Sequence, residues 1–343
     1  MRPSSIANVL SHLISVKRPA FVWGPPGIGK SDVVAGVAKR NDMELVDVRM
    51  NLLDPVDLKG FPVPNTDDQQ MTWLPPDFLP PMFVKEGKKM VPNPSKGILF
   101  LDEFNSAMPA VQAAGYQLVL NRAVGNYKLP DGWAIVAAGN REGDRGVTHR
   151  MPSPLANRLI HLDMETDISD WATWAVENGV STKVLGYLRW KSGNLHAYDA
   201  NTNPRAFPTP RSWVFVSDFI ENCPLSKEER MDTIFGTIGP GVGGEFLAYL
   251  DIHTHVPKIE QILLNPKTTP VPEDHEPSLQ YAVATELGMR ASPSNFSALI
   301  QYIERMPIEF QIVAVRDAGR RDPAIAETKE FDAWTLKNSS VLV

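Results

Sequence analysis

The sequence predicts an α/β fold in its first half, built on a parallel β-sheet, followed by a mostly helical second half. Three observations lead to this prediction. Short apolar segments alternate with helix-like segments up to about residue 165, a glycine-rich octapeptide follows the first apolar segment, and two acidic residues end the third. Apolar runs of this length, separated by helices, are typical of parallel strands that are covered on both faces.

The elements of the first half follow from hydrophobic periodicity and from turn residues. The first 15 residues carry apolar side chains at helical spacing, which predicts an amphipathic helix. The predicted strands cover 20–23, 44–49, 97–101, 133–138 and 159–162. The predicted helices cover 31–40, 77–85, 107–121 and 153–157, and hairpins are predicted at 61–74 and 123–132.

The second half has a helical pattern with capping residues and glycine stops. Its predicted helices cover 170–177, 182–192, 211–221, 226–237, 244–251, 257–264, 278–288 and 294–304. The glycine-rich segment 239–244 follows no strand, so we expect a turn between helices there. We therefore expect three domains: a core at 1–166 with a hairpin insert at about 60–76, a helical domain at 167–264, and a linker with a helical extension at 265–343.

The octapeptide GPPGIGKS fits the phosphate-binding pattern GxxxxGK[ST], and it lies between a predicted strand and a predicted helix. Glycines let several backbone N–H groups converge on phosphate oxygens, and the helix that follows presents its positive end. Lys30 would reach the β- and γ-phosphates, and the Ser31 hydroxyl would ligate Mg²⁺. The predicted nucleotide-binding residues here are Gly24, Pro25, Pro26, Gly27, Ile28, Gly29, Lys30, Ser31 and Asp32.

Polar residues end the third and fourth predicted strands. The strand ILFL leads into Asp102 and Glu103, and the strand at 133–138 leads into Asn140. Asp102 would hold Mg²⁺, directly or through water, and so completes the predicted nucleotide and metal site. Glu103 would polarise the attacking water as the general base. We expect Asn140 to orient that water.

Composition limits the kinds of partner and the cellular compartment that we expect. The net charge is −6 and the pI is about 5.7, which argues against a nonspecific nucleic-acid binder but leaves room for a local basic patch. The single cysteine, Cys223, excludes an intrachain disulfide and fits a reducing compartment. Neither a membrane-spanning run of about 18 apolar residues nor a signal-peptide pattern is present, so we expect a cytoplasmic protein without membrane contact.

The ordered motifs GPPGIGKS, ILFLDE, AAGN, SPLANRL and TPRSW resemble those of the AAA+ ATPases. The two predicted hairpins resemble more narrowly the MoxR-type, helix-2-insert group. The AAA+ resemblance covers residues 1 to about 250. It implies a three-layer P-loop nucleotidase core with a parallel sheet, followed by an α-helical lid.

The resemblance also implies roles for three further residues. Asn140 matches sensor 1, Arg158 matches the arginine finger that reaches a neighbouring subunit's nucleotide, and Arg211 matches the sensor 2 arginine of the lid. A permanently charged, planar guanidinium suits both arginine roles. Arg145 and Arg150 lie in the same loop region and remain alternatives for the finger.

The function implied by the resemblance is hydrolysis of ATP to ADP and phosphate with Mg²⁺. An arginine finger that acts in trans implies a ring, expected to be a hexamer, that remodels a protein client. In MoxR-like systems the client or adaptor is often a protein with a von Willebrand factor A domain. The alternatives are a nucleic-acid motor or loader, which the acidic pI opposes, and a nucleotide-switched binding module, which Glu103 opposes.

Overall fold

The computed structural model describes residues 1–65, 69–144, 148–199 and 205–341. The chain divides into two compact units, Met1–Glu165 and Thr166–Val343. The first contains the sheet, and the second is helical.

The first unit is built on a five-stranded parallel sheet. Its strands in chain order are β1 Ala20–Trp23, β2 Glu44–Arg49, β3 Phe61–Asn65, β4 Gln70–Leu74, β5 Phe83–Glu86, β6 Lys89–Pro92, β7 Gly97–Asp102, β8 Ala123–Val124, β9 Tyr127–Lys128, β10 Trp133–Gly139 and β11 Ile160–Asp163. The order in the central sheet is β11-β1-β10-β7-β2, and every pairing is parallel. All five predicted strands are present to within one residue, which confirms the predicted α/β fold class.

Helices cover the sheet on both faces. They are α1 Pro3–Ser15, α2 Lys30–Arg40, α3 Pro55–Lys59, α4 Pro109–Asn121 and α5 Ser153–Ala156. Successive residues of a strand point to opposite faces, and β7 is buried throughout. Its Ile98 and Phe100 belong to one apolar cluster with residues of α1 and α2, whereas Leu99 and Leu101 belong to another with residues of α4. The unit therefore has three layers.

Three antiparallel hairpins accompany the sheet among the described residues of this unit. The predicted hairpins are present as β3–β4, with Phe61 opposite Leu74, and as β8–β9. The third hairpin, β5–β6, was not predicted. It begins within 77–85, where the prediction of a helix is wrong. Pro80 and Pro81 explain the error, because proline has no amide N–H and its ring clashes with the preceding helical turn.

The second unit contains ten helices among its described residues. They are α6 Ile168–Glu177, α7 Thr182–Trp190, α8 Pro210–Asn222, α9 Lys227–Ile238, α10 Pro240–His253, α11 Ile259–Leu264, α12 Pro277–Arg290, α13 Phe296–Ile303, α14 Ile308–Arg321 and α15 Lys329–Lys337. The turn expected at 239–244 is reduced to Gly239, which has φ of 81° and ends α9. Helix α10 starts at Pro240, so the glycines that follow are helical.

A buried ion pair joins α7 to α14 within this unit. Arg189 Nη1 lies 2.6 Å from Asp317 Oδ2, and Nη2 donates to Oδ1 at 2.8 Å. The Arg189 guanidinium also donates to Thr285 Oγ1 on α12 at 2.8 Å. Residues on both sides of position 264 thus pack together, and the division into a lid and an extension stays a prediction. No helix among the described residues is long and apolar enough to span a bilayer.

Candidate nucleotide-binding site

The octapeptide forms the loop between β1 and α2. Two of its glycines have left-handed backbone conformations, with φ of 78° at Gly27 and 90° at Gly29. Glycine adopts these conformations without the steric cost that a Cβ would add. Gly29 directly precedes Lys30, the first residue of α2. The loop therefore leads into a helix N-terminus, whose amide groups and partial positive charge favour anions.

The Lys30 ammonium contacts the backbone of this loop. Nζ donates to Gly24 O at 2.7 Å and to Pro25 O at 3.0 Å. It also donates to Asn140 Oδ1 at 3.0 Å, across 110 positions of sequence. This contact is possible because β1 and β10 are neighbours, with Trp23 opposite Gly139. The structure therefore places Asn140 beside the loop lysine.

Ser31 and Asp102 form the second cross-strand contact of the site. Ser31 Oγ donates to Asp102 Oδ2 at 2.8 Å, and Asp102 Oδ1 accepts from the Glu103 amide at 2.8 Å. The Asp102 side chain is buried. Its carboxylate is therefore held by two neutral donors.

The Ser31–Asp102 pair fits a magnesium site. Neighbouring ligands of an octahedral ion with bonds of about 2.1 Å lie about 3 Å apart, close to the Ser31–Asp102 spacing. No group of three or more His, Cys, Asp or Glu among the described residues could hold a metal. Mg²⁺ typically uses one or two protein carboxylates together with substrate phosphates, so this small donor set suits it.

Glu103 sits at a strained turn immediately after β7. Its φ is 52°, in the left-handed region, which costs a residue with a Cβ about 1–2 kcal/mol. The side chain is half-buried and makes no hydrogen bond or ion pair with other described residues. Strained conformations of this kind cluster at functional sites. The carboxylate is thus available to a water molecule.

Two further residues of the site were missed by sequence reasoning. Asn105 is buried, and its Nδ2 donates to Asn140 O at 2.7 Å, so it fixes the backbone of Asn140. A Cβ at Gly139 would lie 2.0 Å from Asn105 Oδ1, so only glycine fits there. Asn105 lies in a short 3₁₀ segment without periodicity, and no sequence signal identifies it.

Asp47 is the second missed residue. Partial burial raises the pKa of Asp47, the nearby Asp102 carboxylate raises it further, and Arg49 opposes this effect. Asp47 and Arg49 lie on β2. This strand is hydrogen-bonded to β7, and Arg49 is opposite Asp102 in the strand register. The alternation of polar residues at the end of β2 is the signal that could have indicated this carboxylate. The Asp47 carboxylate increases the negative potential around the candidate metal site.

The predicted arginines are not brought to this cluster by described contacts. Arg158 follows α5, and its exposed side chain makes no hydrogen bond or ion pair with described residues. Arg150 is also exposed, and Arg145 lies outside the described residues. Arg211 is exposed in the first turn of α8, in the second unit. The first unit alone therefore gathers the loop, Asp102, Glu103 and Asn140.

Comparison with known proteins gives one sequence relative. No family model matches the chain. The chain is 25% identical over 210 residues to Midasin from Giardia intestinalis, which covers 57% of this chain and 4% of the length of Midasin. Midasin is an AAA+ protein, and this similarity confirms the resemblance of the chain to AAA+ ATPases.

Comparison with solved structures gives similarities at low TM-scores. The RuvB Holliday junction branch migration motor from Thermotoga maritima has a TM-score of 0.36 and 16% identity, with 88% of this chain and 86% of that chain covered. NtrX from Brucella abortus, in complex with ATP, has a TM-score of 0.39 and 13% identity, with 99% of this chain and 68% of that chain covered.

Proposed function

We propose that this chain is a MoxR-like AAA+ ATPase that binds ATP with Mg²⁺ and hydrolyses it to ADP and phosphate. The observation that carries the proposal is the pair of cross-strand contacts at one edge of the sheet. Lys30 meets Asn140, and Ser31 meets Asp102, although each pair is distant in sequence. These four groups are of the kinds that bind phosphates, hold Mg²⁺ and orient a water molecule in phosphoryl transfer.

Each residue has a distinct part in this chemistry. The loop amides and Lys30 bind the phosphates, and Ser31 and Asp102 hold Mg²⁺. Mg²⁺ held by Ser31 and Asp102 would supply positive charge that offsets the negative charge developing on the phosphate groups. Glu103 accepts a proton from the attacking water. Asn140, held by Asn105, orients that water.

The proposal extends to an assembly. An exposed Arg158 without a described partner suits a finger that reaches a neighbouring subunit. We propose that subunits sharing sites in this way form a ring, a hexamer in the cytoplasm. Arg211 would act from the lid as the site closes. The net charge of −6 favours a protein client over a nucleic acid. We propose a client or adaptor of the von Willebrand factor A class.

Removal of the loop lysine tests the nucleotide site. Lys30→Ala should abolish tight ATP binding, measured by calorimetry with Mg²⁺, because it removes the charge nearest the transferred phosphoryl group. Lys39→Ala is the matched control, since Lys39 is exposed near the other end of α2. Unchanged affinity in Lys30→Ala would contradict the assignment of the phosphate loop.

A second variant separates binding from chemistry. Glu103→Gln should keep ATP affinity but lower kcat by about 10²–10⁴-fold, the typical contribution of a positioned general base. The variant Glu86→Gln, at an exposed site in the same unit, serves as the control. Wild-type turnover in Glu103→Gln would place the base elsewhere. Turnover of the wild-type chain that needs added DNA would favour the nucleic-acid motor instead.

A further inference from the structure

One side chain connects the strand that enters the phosphate loop to the segment that carries Arg158. Trp23 is the last residue of β1 and directly precedes Gly24. Its indole Nε1 donates to His161 Nδ1 at 2.8 Å. The two rings also stack, with centroids 5.9 Å apart and an interplanar angle of 23°.

The other nitrogen of the same imidazole contacts the end of α5. His161 Nε2 lies 2.8 Å from Ala156 O, and Ala156 is the last residue of that helix. An indole N–H can only donate, so Nδ1 of His161 must accept. The proton of the neutral ring is therefore on Nε2, which donates to Ala156 O. Both ring nitrogens are used.

Arg158 lies inside the loop that this contact closes. The backbone of the loop forms turns, in which Arg158 N donates to Leu155 O at 2.9 Å and Leu159 N donates to Ala156 O at 3.3 Å. His161 adds the side-chain contact that ties the start of this loop to β11 and, through Trp23, to β1. The exposed Arg158 side chain has no described partner of its own, so its position depends on the backbone that carries it.

We propose that His161 is a positioning residue for Arg158, and that it fixes the finger relative to the strand that enters the phosphate loop. The inference rests on the proposed function. A misplacement of about 1 Å in a catalytic group can lower a rate by about 10²-fold. Loss of the His161 contacts should therefore impair hydrolysis and leave nucleotide binding intact.

The first test compares two substitutions at one position. His161→Leu removes both contacts, and kcat should fall by about 10- to 100-fold, with ATP affinity within twofold of wild type. His161→Gln keeps one acceptor and one donor and should restore most of the activity. Equal kcat values for the Leu variant and the wild type would overturn the inference.

The second test asks through which group His161 acts. His161→Leu in the Arg158→Ala background should cause little further loss, because the finger that it positions is already absent. A full additional loss would show that His161 acts elsewhere. Trp23→Phe removes only the indole donor and should lower kcat less than His161→Leu does. It therefore tests the same link if His161→Leu does not fold.

Mixed rings separate this inference from the proposed function. His161→Leu subunits mixed with Lys30→Ala subunits should regain activity, since some interfaces combine an intact Lys30 pocket with a finger that His161 still positions. Mixing His161→Leu with Arg158→Ala should give no recovery, because both subunits have defective fingers. Recovery from Arg158→Ala with Lys30→Ala, but not from His161→Leu with Lys30→Ala, would overturn this inference alone. Failure of both Lys30→Ala mixtures would overturn the shared site as well.

Discussion

Buried charged groups have different kinds of partner in the two units. At the sheet edge of the first unit, the buried Asp102 carboxylate accepts from two neutral donors, the Ser31 hydroxyl and the Glu103 amide. In the second unit, Arg189 faces Asp317, and the two side chains are 6% and 0% exposed. A charge held by neutral dipoles still attracts a ligand of opposite sign, whereas a matched buried pair cancels its own field. We therefore expect charge at the sheet edge to serve ligand binding and chemistry, and charge in the helical core to serve packing.

This difference predicts whether removal of a charge affects function or stability. Removal of a charge at the sheet edge should change ligand binding or turnover and leave the fold intact. Removal of one partner of a buried pair leaves an uncompensated buried charge, which costs about 3–5 kcal/mol. Three predictions test this comparison.

The largest effect is expected at Arg158, where the first unit would complete a neighbour's site. Arg158→Ala should bind ATP nearly normally but lose about 10³–10⁵-fold in kcat, the contribution of arginine fingers in related phosphoryl transfers. Steady-state hydrolysis and calorimetry measure the two quantities. Thermal unfolding should be unchanged, because Arg158 is exposed.

The alternatives for the finger provide the controls for Arg158. Arg150→Ala, also at an exposed position, should keep kcat within about threefold if Arg158 is the finger. Mixing Arg158→Ala with Lys30→Ala should restore activity through mixed interfaces. If the mixture stays inactive although co-assembly is proven by mass, Arg158 does not act in trans. Arg150 and then Arg145 become the candidates.

Sequence patterns predicted the three central strands because β1, β7 and β10 are nearly continuous apolar runs, and every residue of β7 and β10 is buried. The hairpin β5–β6 was missed because its strands are half-buried or exposed and rich in lysine, so they lack a strong signal. Helix α14 was missed because the charged residues in Arg316–Asp322 interrupt its apolar pattern. Helix α15 was missed because four of its nine residues are charged: Lys329, Glu330, Asp332 and Lys337. One of the charged residues of α14, Asp317, is buried against Arg189.

The residues of the candidate site also differ in how well the sequence predicted them. Lys30, Ser31, Asp102, Glu103 and Asn140 belong to local motifs, and the structure gathers them at one edge of the sheet. Asn105 has no local motif, since its role depends on Asn140, which β10 brings next to it. Asp47 depends in the same way on the pairing of β2 with β7. Residues whose roles arise from strand pairing alone could not be predicted.

A smaller effect, on stability alone, is expected at the buried pair. Asp317→Ala should lower the free energy of unfolding by about 3–5 kcal/mol, measured by urea denaturation, because Arg189 remains buried and charged. The double variant Arg189→Met, Asp317→Leu removes both charges and should be much closer to wild type. A larger loss in the double variant than in Asp317→Ala would contradict the idea that this pair serves packing.

The smallest effect concerns His253 of α10, whose Nε2 is buried without a hydrogen-bond partner among the described residues. Burial lowers the pKa of His253 below 6.5, and Lys183 lowers it further, although Glu286 and Glu221 oppose this. The folded state therefore binds a proton less readily than the unfolded state. Stability is fully present above the unfolded pKa and decreases as the pH falls from about 6.5 toward the folded value.

Calorimetric unfolding at pH 7.5 and 5.5 would measure this contribution. One proton gives a slope of at most about 1.4 kcal/mol per pH unit, so the effect is smaller than that expected from Asp317→Ala. His253→Phe keeps a ring and cannot titrate, so it should flatten the acid dependence relative to wild type. His255→Gln, two residues later at an exposed position, should retain it. If His253→Phe and wild type lose stability equally between these pH values, His253 does not couple the helical unit to pH.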